Sequence, residues 1–207
     1  ITSPVQAPNG ANNTAYASTN NGIDGDDITI EGNGNTRTVT IETSETAKSA
    51  ATKINAVAGA TTVFAQARTA ARLRSSSSTD LNYTVKINDV ETAAFTLSSA
   101  GVTDAVTKIN AITASTGVMA AATTDGKVLL SDSNGDDITI ENTSTQTTLF
   151  VAAVENDGKT TAAAGGEDNL LASGGTDLTT ISGTIRLTST EGFTVTQATA
   201  IGVGASF

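Results

Sequence analysis

One short sequence returns along this chain at a fixed interval. Lys53-Ile54-Asn55-Ala56 reappears as Lys108-Ile109-Asn110-Ala111, and 108 − 53 sets the interval at 55 residues. The same step carries Ile28-Thr29-Ile30 to Tyr83-Thr84-Val85 and then to Ile138-Thr139-Ile140. Asp26-Asp27-Ile28-Thr29-Ile30-Glu31 is repeated letter for letter at Asp136 to Glu141, two steps on. A period of this length means that one supersecondary unit is built more than once, so the fold must accommodate tandem copies. The tail adds a further echo: Gly126 to Gly135 encloses Val128-Leu129-Leu130-Ser131, and the equally spaced Gly183 to Gly192 encloses Ile185-Arg186-Leu187-Thr188.

Within the second unit, Leu81, Tyr83, Val85 and Ile87 alternate with polar residues, the pattern of a strand with one wet face. A turn near Asn88 to Glu91 leads to a return strand through Phe95 and Leu97. The period then changes. Val102, Ala105, Val106, Ile109 and Ile112 form one stripe of an amphipathic helix, with Ser98 or Ser99 as its expected cap and Asp104 in its first turn. The helix is expected to stop near Ala114 to Gly117, before strands over Val118 to Thr123 and Lys127 to Asp132 joined at Asp125-Gly126. The first unit follows the same plan. Val39 and Ile41 alternate with polar residues, the helix stripe is Ala47, Ala50, Ala51, Ile54 and Val57, and strands resume at Thr62 to Thr69 and Arg72 to Ser76.

A unit this small buries its helical stripe only by laying the helix across the sheet. The expected fold is therefore α+β and strand-dominated, with tandem modules of hairpin, helix and hairpin and the helix packed on an antiparallel sheet. The division reads as an entry segment over 1–25, with Pro4 and Pro8, then modules over 26–80 and 81–142. A Gly-rich insertion or small subdomain spans 143–182, with Leu149 to Val154 as a strand. A closing hairpin over 183–207, through Ile185 to Thr188 and Phe193 to Thr196, returns to the N-terminal side, so that the two ends meet as in a domain inserted into another.

The 207 residues suffice for one large or two small domains. With 38% hydrophobic but only 3% aromatic residues, the core must be built from Ala, Val, Ile and Leu. His, Cys and Trp are absent. That removes a histidine base, a thiolate nucleophile, a Ser-His-Asp triad and the usual structural zinc sites. Absence of Cys suits an extracellular bacterial protein as well as a cytosolic one. A net charge of −10 makes nucleic acid and anionic membranes poor partners. No apolar run approaches the roughly 20 residues of a membrane span, and the polar stretch beginning at Ile1 reads as neither signal nor anchor.

Four features remain as candidate sites. Asp132-Ser133-Asn134-Gly135-Asp136-Asp137 has the alternate-oxygen spacing that opens a calcium loop, but Asp137 stands where such a loop wants Gly and Ile138 opens a strand. Asp24-Gly25-Asp26-Asp27 is a similar cluster, and solvated turns account for both. Arg68, Arg72 and Arg74 form the basic concentration of the chain. With Leu73 facing inward, Arg72 and Arg74 share the outer face of a strand, where they protect a sheet edge or pair with an acidic surface on a neighbouring copy. The carboxylate pairs Glu42 with Glu45 and Asp136 with Asp137 sit in turns or on wet faces, unlike the facing carboxyls of a glycosidase. The triplets at Asn12, Asn82 and Asn142 fit the glycosylation pattern, as accident provides in a chain rich in Asn, Ser and Thr. No catalytic, cofactor-binding or metal-ligating residue is assigned, and no cofactor is expected.

The run from the Tyr83-Thr84-Val85-Lys86-Ile87-Asn88 strand through Ala105-Val106-Thr107-Lys108-Ile109-Asn110-Ala111 and Thr116-Gly117-Val118-Met119-Ala120 to Gly126-Lys127-Val128-Leu129-Leu130-Ser131 and Gly135-Asp136-Asp137-Ile138-Thr139-Ile140 resembles the repeated motif of the outer, variable domains of bacterial flagellins. Thr46-Ala47-Lys48, Ala51-Thr52-Lys53-Ile54-Asn55-Ala56 and the Ala65 to Arg72 stretch match it in the first unit. Gly183 to Phe193 resembles the strand pair by which such domains return toward the filament core. The resemblance covers residues 24–142 and 183–197 but not 143–182. It implies a structural, non-enzymatic part of a secreted filament subunit, displayed extracellularly on the flagellum. Its partners would be neighbouring flagellin subunits and O-linked glycans. The family's filament-forming helices have no counterpart in these residues, so the chain by itself is expected to be monomeric. A related motif occurs in the filament cap protein, the nearest alternative, and a calcium-dependent repeat adhesin is a more distant one.

Overall fold

The computed structural model describes residues 25–154, 167–172 and 178–197. The expected entry segment thus lies outside the described residues, except for Gly25. The elements in chain order are β1 (Asp26–Gly32), β2 (Asn35–Ile41), α1 (Ala47–Ala56), α2 (Ala58–Thr61), β3 (Val63–Ser75), β4 (Leu81–Tyr83), β5 (Val85–Ile87), β6 (Val90–Glu91) and β7 (Phe95–Leu97). They continue with α3 (Thr103–Asn110), α4 (Thr113–Thr116), β8 (Met119–Ala122), β9 (Val128–Asp132), β10 (Ile138–Asn142), β11 (Leu149–Ala153), β12 (Asp168–Leu170), β13 (Leu178–Ile181), β14 (Thr184–Ser189) and β15 (Phe193–Gln197). The fold is α+β and strand-dominated, as the alternating sequence requires, and every strand pair is antiparallel.

Two hydrophobic cores follow the two repeats. The first joins Ile28, Ile30, Val39 and Ile41 to Ala47, Ala50, Ala51 and Ile54 of α1, and is closed by Val63, Ala67, Ile185 and Leu187. The second gathers Tyr83, Val85, Ile87, Phe95 and Leu97 around Ala105 and Ile109 of α3, under Leu130, Ile140 and Val151. Both helical stripes face inward at the expected positions. Fully buried Leu and Ile side chains of this kind are each worth about 1.5–3 kcal/mol.

The 55-residue step is visible in the backbone. Asn33 and Gly34 turn the first hairpin with φ of 51° and 69°, and Asn88 and Asp89 turn the second with 48° and 65°. Positive φ at both central residues is the hairpin geometry that matches strand twist and favours Asn, Asp and Gly. The single helix expected over Val102 to Thr116 is broken after Asn110, and the break has the same place in both copies. Val57 and Ile112 leave helical geometry at φ −100° and −108° before α2 and α4, and Thr62 and Gly117 end those turns in the left-handed region.

Three local expectations are corrected. Neither Ser98 nor Ser99 caps α3: Val102 holds that position without a side-chain bond, and Ser98 Oγ instead accepts from the backbone of Gly101. The first module has no second hairpin. Its expected strands at Thr62 to Thr69 and Arg72 to Ser76 are one continuous strand, β3, which contributes Val63 and Ala67 to one core and Ala71 and Leu73 to the other. The closing segment supplies two strands to different partners, β14 to the first half of β3 and β15 to β1, rather than a mutually paired hairpin.

The last two corrections share one cause. β9 pairs with β8 through Ala120↔Leu130, and β14 pairs with β3 through Ala65↔Leu187. Ala65 lies one repeat step before Ala120, and Leu187 is the echo of Leu130 in the tail. So β14 completes the first module as β9 completes the second, and the whole second module is inserted between β3 and β14. Ile28 lies opposite Gln197, which places the entering and leaving strands side by side.

Candidate functional site

Asn55 and Asn110 close each repeat. Asn110 Oδ1 accepts from the backbone N–H of Ala120 at 2.8 Å while its Nδ2 donates to the carbonyl of the same residue at 2.9 Å. Asn55 does the same to Ala65, at 2.8 and 2.9 Å. A side-chain amide can present an N–H donor and a carbonyl acceptor side by side, as a backbone peptide does, so each Asn replaces a missing neighbour strand. β8 is the edge of its sheet, and this contact blunts it. The Lys-Ile-Asn-Ala repeat thus combines a core Ile with an edge-capping Asn.

The suspected calcium loop is a joint. Asp132 is 2% exposed, and its Oδ1 accepts from the backbone of Asn134, Gly135 and Asp136 at 2.7, 2.9 and 3.4 Å. The turn so formed grips the first module. The Gly135 carbonyl accepts from the Lys48 backbone in the first turn of α1, Lys48 Nζ donates to Asp136 Oδ2 at 2.7 Å, and Thr69 Oγ1 donates to the Asp136 carbonyl. Asp136 is thereby turned toward an ammonium. Among the described residues, no group of three or more acidic side chains is gathered as a metal would need. The Asp24 end of the other acidic cluster lies outside the described residues, and Asp26 Oδ1 accepts from the Asp27 backbone.

The remaining candidates are engaged structurally. Glu45, just ahead of α1, accepts from the Glu42 backbone, from Lys53 Nζ and from Ser49 Oγ. Burial alone would raise its pKa, but the bonds from Lys53, Ser49 and Glu42 outweigh that and hold it below the usual carboxylate range. Asn142 is fully buried and donates to the carbonyls of Gln146, Leu170 and Leu171, so it is closed to glycan attachment, whereas Asn82 is exposed on β4. Asn12 lies outside the described residues.

The basic residues have a different setting from the one expected. β3 is flanked by β9 on one side and β11 on the other, so Arg72 and Arg74 protect no edge. They do share the outer face, with Leu73 fully buried beneath. Arg72 lies opposite Ala152 and Arg74 opposite Phe150, and continuing the β11–β12 register by one residue sets Glu167 opposite Ala152. The methyl of Ala152 is small enough for both guanidiniums to reach across it. Arg74 meets both oxygens of Glu167 through Nε and Nη2, Arg72 donates to Glu167 Oε1 at 3.1 Å, and the Arg74 guanidinium lies 4.3 Å from the Phe150 ring centroid. The expected acidic partner therefore comes from the same chain. Hydrogen bonding by Arg74 holds Glu167 below the usual carboxylate range against the effect of burial, and raises Arg74 in turn. Sequence reasoning missed Glu167, since a loop acid after Gly165-Gly166 carries no periodic signal.

No family model and no curated protein matches the chain. Function must therefore be argued from its own surface. Among the described residues, the large apolar side chains left exposed are Phe64 and Met119, at 58% and 60%. They are one repeat step apart, so each module presents one at the same place, beside its capped Ala. No helix among the described residues is long and apolar enough to cross a membrane.

Proposed function

We propose that this chain is the surface-displayed outer portion of a bacterial flagellar filament subunit, extracellular and structural rather than catalytic. The observation that carries this reading is the topology. A complete repeat module is inserted into another, between its strands β3 and β14, and the first and last described strands pair with each other, so the chain enters and leaves side by side. A projecting domain needs that arrangement. The repeat residues that resemble the flagellin motif are the ones that build the modules, namely Ile54 and Ile109 in the cores and Asn55 and Asn110 at the edges. Phe64 and Met119 then serve as contact points toward neighbouring subunits, while the Thr-rich strand faces remain open to O-linked glycans.

The test is localisation. Antibodies raised against this chain, detected with gold in electron micrographs of the source cells, should label filaments along their whole length. Label confined to filament tips would make the chain part of the cap, and label over the cell body would replace the proposal with an adhesin.

A further inference from the structure

A cleft of about 560 Å³ opens over the Arg72–Arg74 face, between the start of β9 and the Ser75-Ser76 end of β3. That volume lies within the range of small-molecule sites. Its walls carry three cations, Arg72, Arg74 and Lys127, and two carboxylates, Asp125 and Glu167, a local positive excess in a chain of net charge −10. Ser76 and Ser99 also line it, and their hydroxyls hydrogen-bond to no described residue. Arg72 Nε is buried without a hydrogen-bond partner among the described residues.

Glu167 displays what this floor accepts. Two guanidiniums converge on one planar carboxylate, one of them by two parallel bonds and backed by an aromatic ring, which fixes both the charge and the plane of the group received. The rest of the wall is a mixture of hydroxyls and the Asp125–Lys127 ion pair, 2.8 Å across. A larger acidic surface would find Lys127 already taken by Asp125, whereas the hydroxyls of a sugar ring would bond to the paired carboxylate and to the serine hydroxyls.

We propose that the cleft binds a carboxylated sugar of the hexuronic acid type, whose carboxylate replaces that of Glu167 on Arg74 and Arg72. Its ring hydroxyls then meet Asp125, Ser76 and Ser99. Glu167 is an internal competitor, so the apparent affinity is lowered by the fraction of time it holds the site. This inference goes beyond the filament reading and stands without it.

Isothermal titration of the whole chain with D-glucuronate, D-glucose and inorganic phosphate tests it. Circular dichroism melting first confirms that each variant is folded. Glucuronate should bind the wild type weakly and Glu167→Gln about ten-fold more tightly. Arg74→Gln should abolish binding, and glucose should give no heat with any form. Absence of glucuronate binding to both wild type and Glu167→Gln overturns the proposal. So does phosphate binding as tightly as glucuronate, which would mark a general anion patch, or a Glu-rich peptide binding more tightly, which would mark a protein interface. Should Glu167→Gln not fold, amide NMR shifts at Ser76 and Gly126 in the wild type decide instead. Movement with glucuronate but not glucose supports the site, and its absence rejects it.

Discussion

Asn55 and Asn110 each satisfy a donor and an acceptor that a strand edge would otherwise leave open. Replacing either by Ala should cost about 1–2 kcal/mol, more at residue 110, where the bonds are partly buried, than at 55, where they are exposed. Thermal melting of the two variants checks both size and order. The uncapped β8 edge of Asn110→Ala should also promote association on concentration. At Gly135 the constraint is steric. Its φ is +84° and an added Cβ would lie 2.3 Å from that of Ala67, so Gly135→Ala should destabilise the molecule by about 2–3 kcal/mol. Melting indistinguishable from wild type would show that the joint between the modules yields. The repeat marked these Asn residues, but their office was hidden, because an amide that mimics a strand is defined by a partner ten residues on in sequence that only the fold brings alongside. The aspartates around Gly135 read as a solvated turn, and the structure instead buries Asp132. Oxygen spacing that suits a cation also suits a row of backbone N–H groups, and the fold supplies the latter.

Among the elements, the buried stripes of α1 and α3 were legible, though not the break that follows each, since a stripe at helical spacing next to an alternating strand leaves one way to bury both. Ile54→Asp and Ile109→Asp each place a charge in a helix-sheet core and should each lower stability by about 3 kcal/mol or more. Differential calorimetry would show this, and unchanged melting of both variants would contradict the two-core description. β3 was less legible. Its two halves were read as separate strands because its inward face changes cores near Thr69, and no periodicity records which sheet a residue joins. The ion pairs on its outer face make a pH prediction. The pKa of Glu167 is lowered in the folded state, so its contribution is present above the unfolded carboxylate pKa and is lost as pH falls through the lower folded value. Asp125, held to about 2 by Lys127 and Thr123, loses its contribution in the same direction but is largely exposed to solvent and contributes less. Urea titrations between neutral and acid pH should therefore show a shallower acid-side decline for Glu167→Gln than for wild type. Equal slopes would mean that the pair carries no net stability.

Among the described residues, the molecule presents its large exposed apolar side chains singly, one per module, and buries the others wholly or in part. Isolated side chains of this kind do not hold copies together in dilute solution. Sedimentation velocity should accordingly return a monomer, and filaments growing from this chain alone would refute the reading of it as a displayed portion of a subunit. The nested connection has a further consequence, in time rather than in space. Val63 finds its partner at Ser189, so the first core cannot be finished until β14 is available, whereas strands β4 to β10 hold most of what the second core needs. A chain delivered N-terminus first would acquire its second module before its first. One truncated ahead of Thr184 would be left with a half-built module whose longest strand lacks its mate.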